Sequence, residues 1–192
     1  MRSLQAFVIL VLTLLVPSLG WGQAATSGEM ESGITRFEAG GNYNWIHANA
    51  PPGQCGCFSL NGGSGVFLVN LTHAWAGVAD ITYAHANNVD GTSQNITILN
   101  YLFGARYSRR NHTRFTPYAE VLFGGAKEDV NFNFTINRNA FGLSGGGGVT
   151  MPLGQRFNYT IVQVDYVHTR IPNGVNNSQN NTRVVTGFTY KF

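Results

Sequence analysis

From residue 34 onward, apolar and polar positions alternate with a period of two in eight segments, near 34–47, 63–71, 74–86, 95–108, 115–127, 138–150, 158–170 and 182–192. A period of two places successive side chains on opposite faces of an extended chain, so each segment is expected to be a strand with one greasy and one polar face. In the first segment Phe37, Tyr43 and Trp45 share a face with Ala39 and Gly41, and Glu38, Asn42 and Asn44 lie opposite. Further along, Trp75, Ile81 and Tyr83 oppose Asp80; Tyr101, Phe103 and Tyr107 oppose Arg106; Val121 and Phe123 oppose Glu120; Val162, Val164 and Tyr166 oppose Asp165. Nearly every strand thus carries one acid or base on its polar face. Short links at 71–74, 109–114 and 151–157 alternate with long ones at 48–62, 87–94, 128–137 and 171–181, the latter rich in Asn, Gly, Pro and Ser. This rhythm of hairpins suits an antiparallel up-and-down sheet. Parity alone is equally compatible with a two-layer sandwich whose apolar faces meet.

The first 24 residues shift the balance. Arg2 is followed by the apolar run FVILVLTLLVPSL and then by the small and polar residues GWGQA, which is the order of a secretory signal peptide. Cleavage after Ala24 leaves Gly22 and Ala24 as the small residues a signal peptidase requires. The run breaks at Pro17 and is short for a spanning helix. The chain therefore divides into a signal peptide at 1–24, a periplasmic leader at 25–33 and a strand-rich body at 34–192. Removing 24 of 192 residues leaves 168, or 21 per strand with its link, which fits strands of about 9–11 residues in a hydrocarbon layer.

Composition agrees with a closed sheet facing lipid. Only 11% of residues are charged, against roughly 25% in ordinary soluble domains, and there are 24 glycines. The mature chain keeps 11 basic and 9 acidic residues once Arg2 is gone, so the excess of positive charge is small and no nucleic-acid partner is expected.

The terminal VTGFTYKF sets Phe188, Tyr190 and Phe192 on one face and Gly187, Thr189 and Lys191 on the other. It resembles the signal by which bacterial outer-membrane barrels are recognised for assembly, carried here by Gly187, Phe188, Tyr190 and Phe192. Together with YLFGARYS (101–108), TPYAEVLFGGA (116–126), FGLSGGGGV (141–149), VQVDYVHTR (162–170) and TGFTYKF (186–192), the chain resembles the small bacterial outer-membrane β-barrels of the OmpA and OmpX type over residues 34–192. The resemblance implies an all-β, eight-stranded antiparallel transmembrane barrel in the outer membrane of a Gram-negative bacterium. It implies contact with outer-membrane lipid and with the barrel assembly machinery, and it carries no catalytic, cofactor or metal residues. A monomer is expected. With an even strand number both termini lie on one side, so the long links are expected outside and the short ones in the periplasm.

An eight-stranded barrel has a lumen just wide enough to be filled by side chains. Glu38, Asp80, Arg106, Glu120, Asp165 and Arg183 are therefore expected to form a charge network inside it. A turn centred near Thr113 sets Arg106 opposite Glu120, and an equivalent count around Gly174 sets Arg183 opposite Asp165. Such a row suits a packed plug that fixes register, or alternatively a narrow porin-like channel for ions or small solutes. Cys55 and Cys57 lie in the first long link, where an exported chain meets an oxidising compartment. A local disulfide, an intermolecular or metal contact and free thiols are all compatible with that spacing. His47, His85 and His168 fall near one rim on strands that are not neighbours, a poor basis for a metal site. Seven Asn-x-Ser/Thr sequons, at Asn70, Asn95, Asn111, Asn133, Asn158, Asn176 and Asn180, read as Asn- and Thr-rich turns and strand rims. The functional expectation is a non-enzymatic barrel, structural or binding an unknown ligand through its outer loops.

Overall fold

The computed structural model describes residues 35–49, 57–89, 94–110, 113–131, 135–171 and 178–192. The expected signal peptide (1–24) and leader (25–33) lie outside them. The described residues form β1 (Phe37–Asn49), β2 (Cys57–Asn70), β3 (Trp75–Val89), β4 (Gln94–Ser108), β5 (Thr116–Asn131), β6 (Thr135–Leu153), β7 (Phe157–Thr169) and β8 (Gln179–Lys191). Each strand pairs antiparallel with its chain neighbour, and β8 closes on β1 from Glu38↔Lys191 to Ala48↔Asn181. Eight strands in this order bring the start of β1 and the end of β8 to the same end of the barrel, together with the links after β2, β4 and β6. We call this the terminal end.

The strands run longer than hydropathy alone predicts. β2 begins at Cys57 instead of near 63, and β5 and β6 stay paired out to Asn131↔Thr135. The links away from the termini shrink accordingly, the first from 48–62 to the residues between Asn49 and Cys57. Beyond the apolar belt the outward positions turn polar, as at Ser59 and Asn61, and Asn61-Gly62-Gly63 reads as a turn, while Phe58 and Leu60 still pack inward and the backbone ladder continues. The possible Cys55–Cys57 bridge involves Cys55, which lies outside the described residues, although Cys57 opens β2.

Outward faces are apolar. Phe67, Ile81, Phe103, Val121, Phe123, Leu143, Val164 and Phe188 all project from the sheet into the surroundings. At the terminal end Trp75 meets Tyr107 edge-on at 5.2 Å, and Tyr190 contacts Phe157 at 5.3 Å and Phe192 at 5.1 Å between centroids. Apolar patches of this extent are rare on water-soluble monomers. A closed sheet with every backbone group paired and greasy residues outside is the β solution to a lipid environment.

Glycines serve the tight curvature. Gly104 on β4 and Gly124 on β5 face inward where the two strands approach, and a Cβ on either would meet a backbone carbonyl, that of Val121 or Tyr101 respectively. On the outer face the Tyr101 ring covers Gly125, its cross-strand partner. Gly104→Val is expected to cost about 1–3 kcal/mol by overpacking. Gly77→Val, which would project into open space, should cost less than about 0.5 kcal/mol. Urea unfolding in detergent micelles compares the two.

Candidate functional site

The inward positions of β3, β4, β5, β7 and β8 assemble one continuous polar network. Arg106 on β4 and Glu120 on β5 are cross-strand partners, with Nη2 2.7 Å and Nε 2.8 Å from Glu120 Oε2. Arg183 on β8 is the cross-strand partner of Asp165 on β7, with Nη2 2.7 Å and Nε 2.8 Å from Oδ2. Two adjacent nitrogens on one carboxylate oxygen make a directed, charge-assisted contact. The same guanidinium reaches across the lumen to β3, donating from Nη1 to Asp80 Oδ1 at 3.0 Å and to Thr82 Oγ1 at 2.6 Å. The Thr82 hydroxyl donates in turn to Asp80 Oδ1 at 2.6 Å.

Gln163 on β7 joins the two ion pairs. Its amide Nε2 donates to Glu120 Oε1 at 2.7 Å and to Asp165 Oδ2 at 2.8 Å, and its Oε1 accepts from the Tyr118 hydroxyl. The Tyr118 ring lies 4.1 Å under the Arg106 guanidinium, a cation–π contact that covers the charge's other side. Arg183 has no exposed surface, and Asp80, Glu120 and Asp165 are buried as well. Charges so placed are tolerable only because each has a charged partner and further hydrogen bonds.

Glu38 stands apart from this network. Its carboxylate accepts from the side-chain amides of Asn70 and Asn158 at 2.9 Å each and from the Thr189 hydroxyl at 3.4 Å, near the terminal end. The expectation of one network containing all six charges is thus corrected for Glu38, whose side chain is caged by neutral donors instead of a cation. Two of the sequons sit in this cage: Asn70 is buried and Asn158 points to the same carboxylate, so they are lumen residues.

The rest of the lumen is not polar. Ile46, Ala48, Leu60, Ala84, Ala86, Val89, Ile96 and Ile98 form an apolar cluster on the inner faces of β1–β4, toward the end away from the termini. A second cluster, Val66, Leu68, Ala76, Val78, Leu102 and Leu122, lines β2–β5 beside the ion pairs. A lumen lined throughout by polar residues is therefore corrected to a polar network packed against two apolar layers. The overlooked signal is the unbroken apolar run of β2, GVFLV at 65–69, since a strand buried on one face and in lipid on the other needs no alternation. Tyr118 and Gln163 escaped notice as well, although each lies two residues from an inward acid on the same parity, Glu120 and Asp165.

His47, His85 and His168 lie outward on separate strands: His47 stacks on Trp45 at 5.6 Å, His85 contacts Thr97 and Asn87, and His168 contacts Asn180. At the end of the chain Phe188 is exposed, Gly187 faces inward against Asn42, and Phe192 is 73% exposed with its N–H bonded to the Phe37 carbonyl at 3.1 Å.

This architecture has known counterparts. A family model described as outer membrane protein beta-barrel domain matches residues 11–192. Neisserial surface protein A superposes with a TM-score of 0.64 at 14% identity, covering 81% of this chain and 97% of that one. OprG of Pseudomonas aeruginosa gives 0.57 at 17% identity, with 81% and 95% covered. Ail, the attachment invasion locus protein of Yersinia pestis, gives 0.56 at 12% identity, with 81% and 98% covered. A sequence comparison with curated proteins finds no match.

Proposed function

Because the chain belongs to the outer membrane protein beta-barrel domain family and is a bacterial outer-membrane barrel, we propose that it is a non-enzymatic scaffold whose lumen is a structural plug and whose work is done at its surface. Both termini face the periplasm in this reading, and the four links at the other end face outward. The carrying observation is the lumen itself: the Arg183 guanidinium bridges β8, β7 and β3 through Asp165 and Asp80, and apolar layers pack beside that bridge. Side chains so committed hold strands in register and leave ions no exchangeable row of ligands.

Loops on a rigid scaffold are the usual seat of binding. The outward links here are rich in Asn, Gly, Ser and Pro, and 50–56 and 172–177 contain no charged residue. Ail has been crystallised with a heparin analogue, sucrose octasulfate. Uncharged links of this kind are suited to a neutral polar ligand, and a polysulfate is a poor match for them. The terminal Gly187, Phe188, Tyr190 and Phe192 are the handle for the barrel assembly machinery, and the folded barrel acts as a monomer in lipid.

The competing role is a narrow channel for small solutes, suggested by the polar inward row. Liposomes carrying the refolded protein and placed in isosmotic arabinose should keep constant turbidity. Swelling at a rate proportional to protein content would assign the channel role instead.

A further inference from the structure

Four dipeptides in this chain join a base to a phenylalanine: Arg36-Phe37, Arg114-Phe115, Arg156-Phe157 and Lys191-Phe192. All four lie at the terminal end, at the start of β1, before β5, before β7 and at the end of β8. Three of them are contiguous. The Lys191 N–H donates to the Arg156 carbonyl at 2.7 Å and the Phe192 N–H to the Phe37 carbonyl at 3.1 Å, which binds the dipeptides of β7, β8 and β1 edge to edge across the seam where the barrel closes.

Two cations lean toward the lipid-facing rings. The Arg36 guanidinium carbon is 5.5 Å from the centroid of Phe37, and Arg156 Nη1 donates to the Tyr190 hydroxyl at 3.3 Å. Among the described residues, neither Arg36, Arg156 nor Lys191 pairs with a side-chain carboxylate. Glu38, the cross-strand partner of Lys191, gives its oxygens to Asn70, Asn158 and Thr189 instead.

Charge is segregated along the barrel axis. Among the described residues the terminal end holds Arg36, Arg109, Arg110, Arg114, Arg156 and Lys191, opposed by Glu38, so positive charge stays in excess. Among the described residues the other end pairs its charges, Lys127 with Asp129 and Arg138 with Glu128. Aromatic rings of a membrane barrel sit at headgroup depth, so these bases stand where lipid phosphates do.

We propose that the terminal end of the β7–β8–β1 seam is a binding surface for anionic phospholipid of the periplasmic leaflet. Arg36, Arg156 and Lys191 take the headgroup phosphate, and the acyl chains lie over Phe37, Phe157 and Phe192. The assignment to that leaflet rests on the orientation given under the proposed function. Each base near an anionic bilayer surface strengthens association roughly five-fold.

Native mass spectrometry of the refolded mature barrel, released from micelles containing either phosphatidylglycerol or phosphatidylcholine, tests the surface. Wild type and the turn variant R109Q/R114Q should retain phosphatidylglycerol selectively. R36Q/R156Q, which leaves the terminal segment intact, and R36Q/R156Q/K191Q should lose at least about ten-fold of that retention, while each variant keeps its heat-dependent gel mobility. Equal retention of the two lipids, loss in the turn variant as large as in the seam variants, unchanged retention in the seam variants, or displacement of lipid by millimolar inorganic phosphate would each overturn the proposal. Orientation has its own readout: a protease-cleavable tag inserted in the leader should resist cleavage on intact cells. Cleavage there would defeat the periplasmic assignment and leave the lipid measurement to stand or fall separately.

Discussion

Replacing Arg183 by Met is expected to destabilise the barrel by about 3–5 kcal/mol. The substitution leaves Asp80 and Asp165 facing each other inside the lumen without the guanidinium that now lies 3.0 and 2.7 Å from them. A buried ion pair contributes little net stability over a well-packed apolar replacement, but removing one partner strands the other. The triple variant Arg183→Met, Asp80→Asn, Asp165→Asn should therefore recover most of the loss, since no uncompensated charge remains. Urea unfolding in lipid vesicles, followed by tryptophan fluorescence, measures both. A single variant within about 1 kcal/mol of wild type would mean that water, not the protein, balances these acids.

Phe192→Ser, or deletion of Phe192, is expected to lower the amount of barrel in the outer membrane several-fold while in vitro refolding into detergent is nearly unaffected. The asymmetry follows from how little packing the ring provides: it is 73% exposed and touches Tyr190 edge-on. Removing an exposed ring costs a folded protein little, typically within about 0.5 kcal/mol, so a large effect in cells reports recognition during assembly. Immunoblots of membrane fractions set beside refolding yields separate the two. Equal yields in cells would make the terminal resemblance accidental.

The barrel was legible because lipid and lumen impose opposite chemistries on alternate positions. Phe37 and Glu38, Tyr107 and Arg106, Val164 and Asp165 already declare which way each strand faces. Counting across the turns set Arg106 beside Glu120 and Arg183 beside Asp165, and those are the registers found. Less was readable where one environment gives way to another. Strand ends outside the apolar belt turn polar on the outward face and carry turn-like residues such as Asn61-Gly62-Gly63, which hid the start of β2. Reach across the lumen is equally invisible to local counting: Arg183 and Asp80 are 103 residues apart, and the Gln163 bridge to Glu120 spans 43. The cage around Glu38 depends on Asn158, 120 residues away, and nothing in the Asn-x-Thr spelling distinguishes that inward, half-buried amide from a surface turn.

The central claim is that these ion pairs and apolar layers close the lumen. Planar-bilayer recording of the refolded protein in symmetric salt, with Arg106→Ala and Glu120→Ala measured alongside wild type, tests it most directly. The closed lumen predicts no steady unitary conductance for wild type and none for either variant, because the Arg183 bridge and the apolar layers persist. Steady wild-type conductance that either substitution alters would contradict the plug and place an ion path along the Arg106–Glu120 row.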